Sequence, residues 1–134
     1  MTGREILTTH SYLENLKAKK LPARLSMAIS VNAEELGKWA GKIEEQRIRL
    51  LEGYAEKDEG GKPIIDDKNG RKFYRITDEA TAAFTEEYMA FLGENMPDVK
   101  VIKVDGSELA VQLEDPRYDA LTVAEFDAMR FMIS

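Results

Sequence analysis

Residues 25–54 read LSMAISVNAEELGKWAGKIEEQRIRLLEGY. Eight positions in this segment recur at spacings that alternate between four and three residues; they are Leu25, Ile29, Asn32, Leu36, Trp39, Ile43, Gln46 and Leu50. Residues three and four apart share one face of a helix, whereas a strand alternates every two residues, so these positions form a heptad seam. The sequence therefore predicts a helix of about 45 Å around which the chain is organised.

Asn32 and Gln46 are the two polar residues in this seam. A polar seam residue often fixes the register or the oligomeric state of packed helices, and the alternative is that each amide meets water where the contact frays. A helix of this length exposes more apolar surface than one short helix covers. We therefore expect that helix 25–54 is also a candidate homodimer interface.

Gly37 and Gly41 lie four residues apart in the same helix and leave one of its faces bare of side chains. A second helix can approach closely at such a face. Two glycines can equally mark a bend, because each lowers the stability of a helix by about 1 kcal/mol relative to Ala. The sequence leaves both interpretations open.

The flanking segments predict a helix before the seam and a β-hairpin after it. A helix is predicted for about 4–20, with Thr9 or Ser11 as alternative starts, and Leu21-Pro22 ends it. After a loop at 55–61, Asn69-Gly70 separates two apolar, β-leaning runs, which is a strong hairpin signal over about 62–76.

The C-terminal part of the chain predicts a helix, two short strands and a last helix. Thr77 is a good N-cap and Gly93 a good helix end. Residues 99–104 indicate a strand, Asp105-Gly106 a turn, and the alternation over 109–113 a second strand that pairs back. Thr122 and Glu125 then form a capping-box pattern that starts the last helix.

These signals combine into one mainly helical α+β domain spanning residues 1–134. Residues 1–54 form a helical hairpin that serves as its spine. Residues 55–76 form a loop and a β-hairpin arm, and residues 77–134 form a small C-terminal unit. Two strands alone are marginally stable, so the hairpin must pack on something or remain an arm.

The net charge is −6 and is unevenly distributed. Residues 1–24 carry five basic and two acidic side chains, whereas residues 105–127 carry seven acidic and one basic. One interpretation is that two solvated faces of opposite sign meet in the fold or across a dimer; the other is that the acidic end docks on a basic partner. An acidic total argues against a general binder of phosphate backbones.

Few residues offer catalytic or metal chemistry. The chain contains one histidine, His10, and no cysteine, so thiolate catalysis and the usual zinc sets are excluded. Asp66-Asp67-Lys68-Asn69-Gly70 partly resembles a calcium loop, but Ile65 and Ile76 stand where its first and last ligands belong, and a hairpin turn explains the same residues. We predict no catalytic residue, no metal and no cofactor, and hence a protein that is not an enzyme. The plentiful carboxylates leave a Mg²⁺ or Ca²⁺ site, and with it a metal-dependent enzyme, as the alternative.

The remaining signals indicate action by surface contact. Arg71, Lys72 and Arg75 around Phe73 and Tyr74 resemble a nucleic-acid patch, but an amphipathic strand with inward aromatics is the preferred interpretation and direct nucleic-acid binding is not expected. The candidate interaction residues are Trp39, Tyr54, Phe73, Tyr74, Asp115 and Asp119. Neither a membrane span nor a signal peptide is predicted.

Three segments carry a resemblance to a known family: Leu21-Pro22-Ala23-Arg24-Leu25-Ser26-Met27-Ala28-Ile29, Leu51-Glu52-Gly53-Tyr54-Ala55-Glu56-Lys57-Asp58-Glu59, and Leu121-Thr122 through Met132-Ile133. Their order and spacing resemble small uncharacterised proteins encoded by phages and prophages of Gram-positive bacteria. The resemblance implies a phage-encoded protein in the bacterial cytoplasm or a virion, and it supplies no active site. We expect an inhibitor or modulator of a bacterial host defence protein, or alternatively a virion assembly or structural accessory protein.

Overall fold

The computed structural model describes residues 1–134. Its elements are α1 (Gly3–Leu16), α2 (Ala23–Tyr54), β1 (Ile65–Lys68), β2 (Arg71–Tyr74), α3 (Asp78–Leu92), α4 (Gly106–Gln112), α5 (Val123–Met129) and a 3₁₀ turn (Arg130–Met132). The predicted mainly helical α+β class with an inserted β-hairpin is confirmed. None of the helices combines the length and the apolar character that a membrane span requires.

The chain divides into two compact units. Residues Met1–Ala40 and Asn95–Ser134 form one, called here the terminal unit, and Gly41–Glu94 form the other, called the central unit. Helix α2 contributes residues to both units. Helix α3 belongs to the central unit, whereas α4 and α5 belong to the terminal unit.

The first helix is shorter at its end than its sequence predicts. Thr2 caps α1, because its hydroxyl oxygen accepts a hydrogen bond from the Glu5 N–H at 3.2 Å. Neither Thr9 nor Ser11 is therefore the start. Residues 17–20, predicted to be helical, form a turn instead.

The first half of the seam is the core of the terminal unit. Leu25, Ile29, Asn32 and Leu36 are each only 1% exposed. Because the chain itself covers these side chains, they are not available as the dimer interface considered for helix 25–54. Farther along the seam, Ile43 is buried, whereas Trp39 and Leu50 are half-buried and Gln46 is exposed.

Only one of the two glycines of α2 considered above, Gly37, is a site of close approach. A Cβ atom added to Gly37 would lie 3.2 Å from the His10 Nε2 atom, whereas one added to Gly41 would meet nothing within 4 Å. Gly37 therefore leaves room for a side chain of α1, which resolves the alternative at that position in favour of close packing.

The sequence predicts a strand of a sheet over residues 99–104, and they do not form one. Every second backbone N–H of this segment nevertheless donates a hydrogen bond, which is the period of a strand. The backbone N–H groups of Lys100, Ile102 and Val104 donate to Glu35 Oε2, Asn32 Oδ1 and the Met132 carbonyl oxygen, each at 2.8 Å. Only Val104 forms a β-bridge, parallel to Ile133. Most of this segment is thus held by side chains of α2 rather than by a neighbouring strand.

The second predicted strand, 109–113, is wrong, because these residues lie in α4 and its C-cap. Asp105 explains the difference. Its carboxylate accepts hydrogen bonds from the N–H groups of Ser107 at 2.9 Å and Glu108 at 3.1 Å. Asp105 is therefore a helix N-cap and not the first residue of a hairpin turn.

The predicted hairpin and the predicted ends of α3 are confirmed. Asn69 and Gly70 connect β1 to β2 with positive φ angles of 52° and 78°, as a tight type I′ turn requires. Thr77 caps α3 by accepting from the Ala80 N–H at 3.1 Å, and Gly93 ends it.

The last helix begins at the predicted capping box. The Thr122 hydroxyl accepts from the Glu125 N–H at 3.1 Å, and the Glu125 carboxylate accepts from the Thr122 N–H at 2.9 Å.

We expect Thr122→Ala to lower the free energy of unfolding by about 1 kcal/mol, measured by urea titration. Thr122→Ser retains the hydroxyl and serves as the control; equal stability of the Ala and Ser variants would contradict the capping role.

The oppositely charged ends of the chain meet within the terminal unit. Lys19 Nζ lies 2.8 Å from Glu125 Oε1, and Arg24 lies 3.6 Å from Glu108. Asp119 Oδ2 accepts from the Lys20 N–H at 2.7 Å. The first of the two charge interpretations is therefore confirmed within a single chain.

Glu125 makes this contact sensitive to acid. Hydrogen bonds from Lys19 and then from Thr122 hold the pKa of Glu125 below its ordinary value of 4.5. A lowered folded-state pKa stabilises the fold above the unfolded pKa, and this stabilisation disappears as pH falls through the folded pKa.

We therefore expect Glu125→Gln to destabilise the chain at pH 7, and this deficit to shrink once the pH falls below about 4.5 and Glu125 becomes protonated in the wild type. Urea unfolding at a series of pH values measures it. Glu114→Gln is the matched control, because Glu114 forms no ion pair. A deficit that stayed constant down to acid pH would contradict an ionic role for Glu125.

Candidate protein-interaction surface

The β-hairpin of the central unit presents its two adjacent aromatic residues to opposite sides. Ile65 pairs with Tyr74 and Asp66 with Phe73, and successive side chains of a strand alternate between faces. The Tyr74 hydroxyl donates to Glu52 Oε1 of α2 at 2.9 Å, whereas Phe73 is 49% exposed. The prediction that both aromatics pack inward is therefore wrong for Phe73.

Phe73 lies on a hairpin face that is basic at the turn. Asp66, opposite Phe73, forms two hydrogen bonds with Arg75, at 2.6 and 3.0 Å, which lower the pKa of Asp66 and raise that of Arg75. Lys68 and Arg71 form the other cross-strand pair of this face, and neither forms an ion pair. The face that comprises Asp66, Lys68, Arg71 and Phe73, called here the solvent face of the hairpin, thus combines an exposed ring with two cations that form no ion pair, although Lys68 also attracts Asp66 electrostatically. The opposite face exposes Ile65, Asp67 and Lys72.

Three half-buried rings join α3 to the end of α2 within the central unit. Tyr54 meets Phe84 edge-on at 6.5 Å between ring centroids, and Phe84 stacks on Tyr88 at 5.8 Å. The Tyr54 hydroxyl donates to Glu87 Oε2 at 2.7 Å, and this hydrogen bond raises the pKa of Tyr54. These contacts define the inner face of α3.

Arg47 adds a polar group to the same part of the central unit. It donates two hydrogen bonds to Glu44, at 2.7 and 2.8 Å, which raise the pKa of Arg47 and lower that of Glu44. Hydrogen bonding to Glu52 raises the pKa of Tyr74, whereas burial raises that of Tyr88. These groups are held by one another, which gives this part of the unit a fixed arrangement.

The outer face of α3 is acidic and contains one exposed apolar side chain. Glu79, Ala82, Glu86 and Met89 recur three and four residues apart, so they form one stripe of the helix, and all four are exposed. Met89 is 46% exposed. Helix α3 carries Asp78, Glu79, Glu86 and Glu87 and no basic residue.

The central unit buries little of its own apolar surface. Its only buried hydrophobic residues are Ile43, Ala55 and Leu92, whereas Ile65, Phe73 and Met89 are 55%, 49% and 46% exposed. Exposed apolar surface with a polar border is characteristic of protein contact sites. The central unit, which has few buried hydrophobic residues and three exposed ones, is therefore a candidate interaction surface.

The terminal unit offers a second apolar patch. Met27 and Val31, one turn apart on α2, are 60% and 40% exposed, and Ile102 is 42% exposed. Grooves of about 190 and 320 Å³ adjoin Ile102. This patch surrounds a well-formed core, which distinguishes it from the sparsely buried central unit.

The structure separates the six candidate residues that the sequence predicts. Tyr54, Phe73 and Tyr74 belong to the central unit. Trp39 lies in the terminal unit, half-buried. Its side chain hydrogen-bonds to Glu35. The pKa of Glu35 is lowered mainly by the hydrogen bond from the Lys100 N–H and to a smaller extent by the one from Trp39. Because Glu35 binds the Lys100 backbone, Trp39 helps to hold the segment 99–104.

Asp115 and Asp119 are also engaged within the terminal unit. Asp115 accepts hydrogen bonds from the Arg117 N–H and Nε at 2.9 and 3.0 Å, which lower the pKa of Asp115. The Asp119 carboxylate binds the Lys20 backbone, and its own N–H donates to the Lys20 carbonyl at 2.8 Å. Asp115 therefore stabilises a local turn, whereas Asp119 joins its own segment to the backbone of Lys20.

The sequence interpretation did not single out the outer stripe of α3. The apolar face of this helix includes Phe84 and Tyr88. Met89 follows Tyr88 directly and so lies off that face. The sequence signal for this stripe is that Met89, a large apolar residue, shares a helix face with Glu79, Ala82 and Glu86.

Neither a metal-binding cluster nor a similarity to known proteins is found. No three His, Asp or Glu side chains are close enough together to hold a metal ion. In comparisons with known proteins, the chain matches no family model, no curated protein and no solved structure at a significant level.

Proposed function

We propose that this is a non-enzymatic, phage-encoded protein that acts in the bacterial cell by binding a host protein through its central unit. The observation that carries this proposal is the exposure of Ile65, Phe73 and Met89 in a unit with three buried hydrophobic residues. Covering such side chains removes apolar surface from water, at about 25 cal/mol per Å². A protein partner is the natural source of that cover.

The mixed chemistry of the surface also supports a protein partner. Phe73 provides a ring beside the cations Lys68 and Arg71, while α3 provides Met89 beside carboxylates. Interfaces typically combine apolar anchors with a polar border that excludes wrong partners. A small apolar ligand would not require charges of both signs around it.

The phage setting comes from the resemblance of three segments. In the structure these segments are the start of α2, the end of α2 with its following loop, and α5 with the 3₁₀ turn. Each of them includes the beginning or the end of a helix. The family resemblance thus supports the biological setting, and the exposed side chains support the mode of action.

The test is affinity capture from the bacterial host with matched variants. Tagged wild type, Phe73→Ser and Met89→Ser are compared with the control variants Met27→Ser and Val123→Ser, whose side chains are 60% and 79% exposed in the terminal unit. Co-purifying proteins are identified and quantified by mass spectrometry, with circular dichroism confirming that each variant is folded.

We expect a host protein in fixed stoichiometry with the wild type and both controls, and its loss with Phe73→Ser or Met89→Ser. Binding lost only with Met27→Ser would transfer the function to the terminal unit and contradict the proposal. Recovery of head or tail proteins, only during phage infection, would replace the inhibitor or modulator function by virion assembly.

A further inference from the structure

We infer that the central unit also binds a second copy of this chain. In this dimer the solvent face of each hairpin lies on the outer stripe of the other copy's α3. The inference rests on the proposed function in taking the central unit as a protein-binding unit, and it names one partner. The observation behind it is that the same unit carries two exposed faces of opposite charge.

The charges of the two faces are complementary. Lys68 and Arg71 on the hairpin and Glu79 and Glu86 on α3 form no ion pair within the chain. Each is exposed, and Lys68 interacts only at longer range with Asp66. The acidic face of one copy therefore offers the basic face of another the ion-pair partners that neither has in its own chain.

The apolar residues of the two faces are also complementary. Phe73 protrudes between the pairs Asp66–Arg75 and Lys68–Arg71. On α3, Ala82 is the one small side chain in the stripe of Glu79, Glu86 and Met89, so it leaves room for a ring between the two glutamates. Met89 continues the exposed stripe about two helical turns farther along.

Symmetry makes the contact reciprocal. In a two-fold dimer each copy donates its hairpin and receives the other, so every favourable pair occurs twice and the assembly closes. Doubling a modest contact is what allows a small unit with a sparse core to associate. The seam residues Leu25 to Leu36, buried in their own chain, take no part in this interface.

The experiment is sedimentation equilibrium of the purified full-length chain over a concentration series. We expect a reversible dimer that weakens at high salt, because exposed charge pairs are screened. Arg71→Glu and Glu86→Lys each place like charges at both contacts, and each should weaken the dimer about tenfold or more. The matched controls Arg49→Glu and Glu45→Lys reverse exposed charges on α2 and should leave it unchanged.

The decisive measurement mixes the two charge-reversed chains. A heterodimer of Arg71→Glu with Glu86→Lys has opposite charges at both contacts, so the mixture should recover dimerisation that neither variant shows alone. Phe73→Ser, which acts at both contacts without changing charge, should weaken the wild-type dimer on the order of 100-fold. Circular dichroism confirms the fold of every variant.

Any of three outcomes would overturn the inference. The wild-type chain stays monomeric, the dimer keeps its affinity in both charge-reversed variants, or the mixture of the two variants does not regain dimerisation. Binding of a labelled single-stranded oligonucleotide by a monomer, lost with Phe73→Ser and Arg71→Glu, would assign the hairpin to nucleic acid and overturn it as well. A monomer that still captures a host protein through Met89 would leave the proposed function standing. A charge-dependent dimer that captures none would remove the proposed function and leave the inference.

Discussion

Asn32→Leu is expected to lower the free energy of unfolding by about 2–4 kcal/mol, although leucine is the more hydrophobic residue. Asn32 is 1% exposed. Its amide nitrogen donates to the Ile102 carbonyl at 2.9 Å, and its oxygen accepts from the Ile102 N–H at 2.8 Å. Leucine has a similar branched shape but leaves both backbone groups of Ile102 without partners. Guanidinium titration followed by circular dichroism measures the loss.

Gln46→Leu is the matched control, because Gln46 is the other polar residue of the seam and is exposed. Its stability should change by no more than about 0.5 kcal/mol. Amide hydrogen exchange adds a local test, since the Ile102 N–H should exchange faster in Asn32→Leu than in the wild type. Equal stability of the Asn32 and Gln46 variants, with unchanged exchange at Ile102, would show that Asn32 does not hold the segment.

Leu36→Ala should lower the free energy of unfolding by about 2–5 kcal/mol. Leu36 is 1% exposed at the centre of the seam, so truncation removes buried methyl groups and leaves a cavity in the core of the terminal unit. The control is Val31→Ala on the same helix, where the side chain is 40% exposed. We expect that control to change stability by no more than about 0.5 kcal/mol.

Protein concentration separates a core position from a dimer seam. Because Leu36 is buried within one chain, the loss should be the same in dilute and concentrated solution. A seam that became buried only on dimerisation would give a loss that depends on concentration, since association stabilises by mass action. Such a dependence, or a loss as small as that of Val31→Ala, would contradict the intrachain core.

Two kinds of local signal predicted the elements correctly. Turn and capping chemistry acts over a few residues, so Asn69-Gly70, Thr77 and Thr122 each specify their structure independently of the rest of the chain. The seam of α2 predicted the long helix for a similar reason, because its spacing is a property of one helix. The outcome for 109–113 shows the limit, since Asp105-Gly106 suits both a turn and a helix start, and only the capping of Ser107 and Glu108 decides between them.

The candidate surface was predictable only in part. Tyr54, Phe73 and Tyr74 could be named from residue type, but not that Phe73 faces solvent while Tyr74 binds Glu52. Asp115 and Asp119 look like docking groups in the sequence because their partners, Arg117 and the Lys20 backbone, are not evident from charge pattern alone. Exposure depends on every element that packs nearby, and residue type does not record it.

The sequence by itself determined the long helix, the hairpin, the capped starts of α3 and α5 and the mainly helical class, because each depends on interactions between residues close along the chain. Only the tertiary structure decided that Asn32 binds Ile102, seventy residues away, and that the first half of the seam is core. It also decided that Phe73 stays exposed while Tyr74 binds Glu52, and which side of α3 stays exposed. Those outcomes depend on which apolar faces meet, and contacts between distant segments set that choice through the surface that they remove from water.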